Sequence, residues 1–239
     1  MIERHLMKLR ARDQIGVAEE AALRALPREV IDVPARRTLI RAGEVVRDST
    51  LLLDGLMCRY KDLSDGQRQL TELHVAGDFV DLHSFTLKRL DHSIMTLTPC
   101  RVAHVPHARL AELTERFPHL TRLYWHSTNL DAAIHREWEL SLGRRSAVQR
   151  LAALFCELYV RLKVVGLAAD LRYDLALTQA DIGEAMGLTA VHVNRTLREL
   201  RERKLLRFRS GNVTIVDYDK LARLGEFDIA YLYLESFPT

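Results

Sequence analysis

The chain has 239 residues, enough for two modest domains, and 48% of them are apolar. No apolar run approaches the roughly 18–20 residues that a membrane-spanning helix needs, and the N-terminus lacks the apolar core of a secretory signal. We therefore expect a cytoplasmic protein with no membrane partner.

The net charge of +3 does not by itself identify a nucleic-acid binder. The three cysteines lie far apart without a CxxC pair, which argues against a disulfide framework and against a four-cysteine metal or iron–sulfur site within one chain.

The residue pattern of the first half of the chain predicts a β domain. Residues 17–26 predict a short helix that ends before Pro27. From about residue 30 to residue 105, short β-favouring runs alternate with turn residues, which is typical of an antiparallel sandwich or roll. Two Asp-Gly pairs between apolar runs, Asp54-Gly55 and Asp65-Gly66, favour hairpins at those two points.

Helical patterns return after these strands. A short amphipathic stretch at 107–117 is followed by a long helix predicted over 118–143, with apolar residues at spacings of three or four. A helix this long has an apolar seam that needs a partner. This favours a coiled-coil-like homodimer through Leu123, Leu130 and Ile134. The alternative is that the seam packs only within its own chain.

A break follows the long helix. Gly143 is expected to end it, and Ser146 is a good N-cap for the next helix. We place a domain boundary at this break, between residues 145 and 146.

The segment 177–206 has the order of a helix-turn-helix. Thr178 is a good N-cap with an acidic residue three positions later, an approximate capping box. Gly187 suits the left-handed turn that ends the first helix, and Thr189 caps the second. Two helices joined by a tight glycine turn, the second rich in arginine, are typical of this motif. The hairpin-like run at 206–216 predicts a wing beside it.

The second helix carries the side chains expected to meet DNA. Arg195 can pair with guanine, Asn194 with adenine, and Val191 can touch a thymine methyl group. Arg209 on the wing is expected to contact phosphate. From residue 195 to residue 209 there are seven basic and two acidic side chains, which indicates a local basic surface. A solvated helix face with i,i+4 ion pairs is the alternative. The full predicted DNA-binding set is Thr178, Thr189, Ala190, Val191, His192, Asn194, Arg195, Arg198 and Arg209.

Together these features resemble the CRP/FNR family of bacterial transcription regulators over nearly the whole chain. The order matches: an N-terminal helix, a β-roll with a Gly77-Asp78-Phe79 turn, a long helix, then a winged helix-turn-helix. Arg195 matches the family's guanine-reading arginine. Ala190, Val191 and Asn194 differ from both main branches, so we do not expect either branch's target sequence in full. The resemblance implies a homodimer on a palindromic operator in double-stranded DNA, with RNA polymerase as a further partner.

The sensor half departs further from the family. Members that bind a cyclic nucleotide have a Gly-Glu pair after the turn and an Arg-Ser or Arg-Thr pair for the phosphate. This chain has Asp81-Leu82 and His92-Ser93 instead. A carboxylate at the phosphate position repels an anion, and the bidentate guanidinium is missing. On the long helix, His135-Arg136 replaces the small hydroxyl residues near the base. We therefore expect no cyclic AMP binding.

No cofactor and no metal site is predicted, although two sensor chemistries stay open. None of the ten histidines has metal-site spacing, but haem needs only one or two axial ligands, so the sequence is compatible with haem. For Cys100 the sequence favours a buried structural cysteine, with a lowered thiolate pKa beside Arg101 and a redox switch as the alternative. No nucleophile–base pair or phosphate-binding loop is present, so we expect no enzymatic activity.

We therefore predict an α+β chain in three parts. Residues 1–117 form an antiparallel β-roll resembling a cyclic-nucleotide-binding domain, 118–145 a dimerisation helix and hinge, and 146–239 a winged helix-turn-helix domain. The predicted function is sequence-specific, DNA-binding regulation of transcription as a homodimer. The alternatives are an effector-free regulator of the same family, a haem or redox sensor acting through histidines or Cys100, and, from another class, a ligand-binding protein without a role on DNA.

Overall fold

The computed structural model describes residues 1–234, so the last five residues of the predicted third domain lie outside the described residues. The described chain forms two compact units. The first comprises Met1–Tyr60 and Leu73–Ala132, with Tyr233 and Leu234, and the second comprises Lys61–Glu72 and Ala133–Leu232. The boundaries that the sequence suggests at 117/118 and 145/146 stay a prediction.

The first half of the chain folds as the predicted antiparallel roll. Its sheets have the strand orders β1-β7-β3 and β2-β6-β4-β5, and every pair with a described register is antiparallel. The elements are α1 (Glu3–Arg10), α2 (Val17–Ala25), β1 (Glu29–Val33), β2 (Thr38–Ile40), β3 (Asp48–Asp54), β4 (Leu56–Asp62), β5 (Arg68–Val75), α3 (Ser84–Leu87), β6 (Ser93–Thr96), β7 (Cys100–Pro106) and α4 (His107–Arg116).

Strand β3 shows why the roll's sequence lacks a clean apolar–polar alternation. Leu51 and Leu53 pack in a cluster with helix residues such as Leu6, whereas Leu52 packs in a second cluster with Met57 of the other sheet. Successive side chains of a strand point to opposite faces. A strand covered on both faces can therefore have consecutive apolar residues, as Leu51, Leu52 and Leu53 show.

The Asp54-Gly55 pair is not a hairpin, which corrects the sequence prediction. Strands β3 and β4 belong to different sheets, so the chain crosses between the sheets here. Gly55 has a φ of 93°, and a side chain on it would lie 2.5 Å from the carbonyl oxygen of Pro99. Glycine is needed at position 55 because any side chain would collide with the backbone at Pro99. The other pair, Asp65-Gly66, does join β4 and β5, which are neighbours in one sheet.

The second half of the chain contains the predicted long helix, helix-turn-helix and wing. Its sheet has the order β10-β11-β9-β8. The elements are α5 (Pro118–Arg144), α6 (Ala147–Val164), β8 (Ala168–Ala169), β9 (Arg172–Asp174), α7 (Gln179–Met186), α8 (Ala190–Glu202), β10 (Leu206–Arg209), β11 (Asn212–Ile215), α9 (Tyr218–Gly225) and a short helical turn at Ile229–Leu232. No helix of residues 1–234 is long and apolar enough to cross a bilayer.

Gly143 does not end the long helix, because α5 continues to Arg144. The break that follows depends on Ser146, whose N–H donates to the side-chain oxygen of Gln149 at 2.9 Å. Capping of α6 therefore fixes the break, as the choice of Ser146 for the N-cap predicted.

The predicted dimer seam stays a prediction, although two of its three residues are buried in the single chain. Leu123 and Ile134 are only 1% and 2% exposed in the single chain, so they have no free area for a second copy, and Leu130 is half-buried. Leu123 packs in the cluster that also contains Leu6 and Tyr124. The side of α5 that stays exposed, here called the exposed seam, has residues at spacings of three and four: Trp125, Asn129, Ala132, Arg136 and Leu140.

Candidate nucleic-acid interface

Helix α7 begins with the predicted capping box. The Thr178 hydroxyl accepts the N–H of Asp181 at 3.2 Å, and the Asp181 carboxylate accepts the N–H of Thr178 at 2.7 Å. These reciprocal bonds satisfy backbone donors that a helix start otherwise leaves unpaired. Asp181 is 3% exposed. The pair therefore fixes the start of the motif locally.

Two glycines allow the tight turn between α7 and α8. Gly187 ends α7 with a φ of 63°, which residues with a side chain rarely adopt. Gly183 lies so close to the turn that a side chain there would meet the carbonyl oxygen of Leu188 at 2.4 Å. Thr189 then caps α8 by accepting the N–H of His192 at 3.2 Å. The second helix thus leaves the turn in one defined direction.

Helix α8 has one buried and one exposed face. Val193 and Leu200 are fully buried, and the buried Thr196 hydroxyl donates to the carbonyl of His192 at 2.9 Å. On the opposite face Val191 is 81% exposed and Arg195 is also exposed. Because the buried face anchors the helix to its unit, the other face is free to meet a groove of DNA.

The predicted DNA-binding residues all lie in the second unit, at the start of α7, along α8 and at the end of β10. His192 is half-buried, and the other eight are exposed. Because eight of the nine residues are exposed, their burial does not distinguish one role from another. Their ion-pair partners do distinguish the arginines.

Arg198 of α8 and Arg203, directly after α8, pair with acidic residues of that helix. The Arg198 Nε lies 2.8 Å from Glu202, and the Arg203 Nη2 lies 2.6 Å from Glu199. For these two residues the ion-paired helix face is the correct interpretation, and such exposed pairs are weak. Within residues 1–234, no acidic side chain pairs with Arg195. Its guanidinium fork is therefore available to an external acceptor.

The wing is a tight hairpin with a basic surface. Ser210 and Gly211 turn it with φ values of 51° and 77°, as a two-residue hairpin loop requires. Arg207 lies opposite Thr214 of β11, which lies opposite Arg172 of β9. Directly paired residues share a face of a sheet, so two exposed arginines flank Thr214 there.

Arg172 was not predicted, because β8 and β9 have two and three residues and look like a polar linker. The turn between them places Asp170 and Leu171 at positive φ, and leucine gives no sequence signal for such a turn. The exposed Arg172 nonetheless extends the basic surface of the wing.

Inside the roll, the chain supplies its own buried cation. Arg59 is 3% exposed, and its Nε donates to the carbonyl of Val80, next to the Gly77-Asp78-Phe79 turn, at 2.8 Å. Its Nη2 donates to Asp131 of α5 at 2.9 Å. Arg59 therefore bridges the roll and the long helix through groups of the chain itself.

The residues at the expected phosphate positions are engaged within the protein. Asp81 is fully buried and accepts the N–H of Thr50 at 2.6 Å, and burial raises the pKa of its carboxyl to about 7. His92 bonds with Asp91 at 2.9 Å, and burial lowers the pKa of its imidazole. The Ser93 hydroxyl accepts the N–H of Ala42 at 3.0 Å. These residues do not form a cationic cradle for a phosphate.

Cys100 has the environment of the favoured buried cysteine and not of a reactive thiolate. The residue is 4% exposed, and burial raises the pKa of its thiol. The Sγ donates to the carbonyl of Leu56 at 3.2 Å. Cys100 is therefore a buried structural cysteine, as the sequence favoured. Across residues 1–234, no group of three or more His, Cys, Asp or Glu side chains is arranged to hold a metal ion.

Comparisons with known proteins agree with this architecture. Residues 149–224 match the model of the Crp-like helix-turn-helix domain, and residues 30–117 match that of the cyclic nucleotide-binding domain. The fumarate and nitrate reduction regulatory proteins of Vibrio cholerae and Escherichia coli are each 26% identical to this chain. The matches cover 78% and 79% of this chain and 74% and 75% of those proteins.

Solved structures show the same fold. FixK2 from Bradyrhizobium japonicum matches with a TM-score of 0.75 at 23% identity, over 82% of this chain and 96% of its own. The c-di-GMP responsive global regulator CLP from Xanthomonas campestris matches with a TM-score of 0.66 at 14% identity, over 84% and 100%.

A roll of the cyclic-nucleotide-binding type, a long helix and a winged helix-turn-helix, in this order, define a DNA-binding transcription regulator and not an enzyme. The chain belongs to the CRP/FNR family of such regulators.

Proposed function

We propose that this regulator binds a palindromic operator as a homodimer, with α8 of each subunit in the major groove of one half-site. The observation that carries the proposal is the exposed face of α8, where Arg195 has no acidic partner among the described residues, opposite the buried Val193 and Leu200. An unpaired guanidinium there can reach the O6 and N7 atoms of guanine. Arg209 and the other basic residues of the wing face the phosphates.

The test is a selection of bound sequences from a random DNA pool, with the full chain at fixed salt. The expected result is an inverted repeat with half-site centres about 10 base pairs apart and a strongly preferred guanine in each half. Binding of the selected site and of a scrambled site of equal length should both weaken steeply with salt, with the selected site bound more tightly at each salt concentration. Recovery of no consensus, or of a consensus without twofold symmetry, would contradict the proposal.

The dimer contact is best supported on the exposed seam. Trp125 and Leu140 are 69% and 45% exposed, although large apolar side chains on a helix are normally covered. Ala132 between them leaves room for close approach of a second helix. A dimer through this side leaves Leu123 and Ile134 in their own cores.

We also propose that the protein binds its operator without a small-molecule effector. The bridge from Val80 through Arg59 to Asp131 supports this, because it links the roll to α5 with groups of the chain itself. Asp81 supports it as well, since its buried carboxyl is bonded to Thr50 and supplies no positive charge for an anionic ligand. Action in the cytoplasm and contact with RNA polymerase complete the proposed role.

Three measurements on the purified, dialysed chain test the absence of an effector. Calorimetry with millimolar cyclic AMP is expected to show no saturable heat, and operator affinity is expected to be the same with and without it. The absorption spectrum of the protein as purified is expected to lack a haem band. A micromolar Kd for cyclic AMP, or a stoichiometric haem band, would overturn this part of the proposal.

A further inference from the structure

One arginine of α6 joins three chain segments at the base of the helix-turn-helix. Arg150, in the first turn of α6, donates from Nε to the carbonyl of Arg145, from Nη2 to that of Leu142 and from Nη1 to that of Met186. Each of these distances is 2.9 Å. All four residues belong to the second compact unit.

Two of these carbonyls lie at helix ends that have few other donors. Leu142 is in the last turn of α5, and Met186 is the last residue of α7. The N–H that would reach the Leu142 carbonyl belongs to Ser146, which donates to Gln149 instead. A guanidinium at a helix C-terminus both satisfies such carbonyls and opposes their partial negative charge. Arg150 does so for two helices at once.

The turn of the helix-turn-helix packs directly on this arrangement. A side chain at Gly187 would lie 3.2 Å from Leu142 and 3.5 Å from the Arg150 Nη1. The end of α5, the hinge residue Arg145 and the turn before α8 therefore meet around one guanidinium.

We propose that Arg150 is a positioning residue that fixes the direction of α8 relative to the end of α5, and thereby sets the half-site spacing that the dimer accepts. The proposal rests on the dimeric operator binding proposed above. Arg150 is half-buried and bonded to its own main chain, so it acts through the geometry of the motif. A dimer reads the distance between two recognition helices, which is a property of the hinge and not of the base contacts.

The experiment compares the full chain with Arg150→Met, Arg150→Lys and the control Arg144→Met. Arg144 lies in the same hinge but is exposed. Binding is measured by fluorescence anisotropy on the selected palindrome, on palindromes with one base pair inserted or removed between the half-sites, and on a single half-site. Salt dependence and thermal unfolding are recorded for each variant.

Wild type and Arg144→Met are expected to prefer the selected spacing strongly. Arg150→Met should lose about tenfold in that preference, as expected when several geometry-fixing hydrogen bonds are removed, with half-site affinity nearly unchanged. Its salt slope should stay at the wild-type value, because no phosphate contact is lost. Arg150→Lys keeps the charge but has one compact ammonium group, so it should be intermediate.

An unchanged spacing preference in Arg150→Met would overturn the assignment. So would an equal loss on every DNA with a lower Tm, which indicates a purely structural role, or a salt slope reduced by about one, which indicates a phosphate contact. If Arg150→Met does not fold, Arg150→Lys gives the same comparison. Failure of wild type to prefer any palindrome would remove the dimeric function itself, and this inference with it.

Discussion

Arg195 and Arg209 are both exposed arginines without an acidic partner in the described chain, and their places in the fold give them different expected roles. Arg195→Ala removes the side chain proposed to face the groove, so it should cost roughly 1–3 kcal/mol and relax the preference at one guanine of each half-site. Arg209→Ala removes a phosphate contact, so it should weaken all sites about equally and lower the salt slope by about one. Selections at fixed salt with both variants check this. A half-site preference changed by Arg209→Ala but not by Arg195→Ala would reverse the two roles.

Asp81 gives a prediction for stability against pH. Burial raises its carboxyl pKa from 3.8 to about 7, partly offset by the N–H of Thr50. The folded state therefore holds a proton that the unfolded chain releases above about pH 4. This contribution to stability is full below that pH and is lost as the pH rises to about 7.

Asp81→Asn keeps the shape and an oxygen for Thr50 but cannot ionise. It should be more stable than wild type at pH 8, by an amount on the order of a few kcal/mol, with the gap closing toward pH 4. Denaturant unfolding at several pH values measures the gap. Asp65→Asn, at an exposed turn residue, is the matched control and should show no such trend. A gap for Asp81→Asn that does not depend on pH would contradict the raised pKa.

At the scale of an element, two glycines near the hinge should respond oppositely to the same substitution. Gly187 has a φ of 63° and a side chain there would press on Leu142 at 3.2 Å, so Gly187→Ala should destabilise by about 1 kcal/mol or more. Gly143 lies in α5 with no atom within 4 Å of an added side chain. Gly143→Ala should stabilise by about 0.5–1 kcal/mol. Thermal unfolding of both variants decides the matter, and two shifts of the same sign would contradict the assigned conformations.

The elements that the sequence predicts well are those fixed by neighbours in the chain. The caps at Thr178 and Thr189 and the turn at Gly187 depend on residues within four positions, and all three are where the sequence places them. Helix α1 was not predicted, because its stability comes from distant partners such as the bond of His5 to Gly77 at 2.9 Å. The crossing at Gly55 was taken for a hairpin for the same reason, since strand pairing is a long-range property.

At the scale of the whole molecule, the order of elements sufficed to indicate the family, whereas apolar spacing alone does not choose which side of α5 would meet a second copy. Leu123 and Trp125 both suit a helix seam, and only the fold shows that the core of the roll covers the leucine and leaves the tryptophan exposed. Whether the protein needs an effector is likewise decided by contacts that the sequence does not show. The sequence shows that cyclic-nucleotide residues are missing, but the bridge made by Arg59 and Asp131 appears only when β4 and α5 are placed.

The exposed seam supplies the test of the assembly. Trp125→Glu combined with Leu140→Glu places charges at two exposed positions, so the single chain should fold with an unchanged core, while a dimer would have to bury the charges. Sedimentation should then show monomers, and operator affinity should fall to near the single half-site value. Val17→Glu, at a residue of α2 that is 90% exposed, is the control and should stay dimeric.

Asp at Leu130 and Ile134 would not make the same test, since Ile134 is 2% exposed and a charge there would disturb the chain's own core. If the Trp125/Leu140 variant remains dimeric and binds the palindrome as wild type does, the contact between subunits lies on another surface.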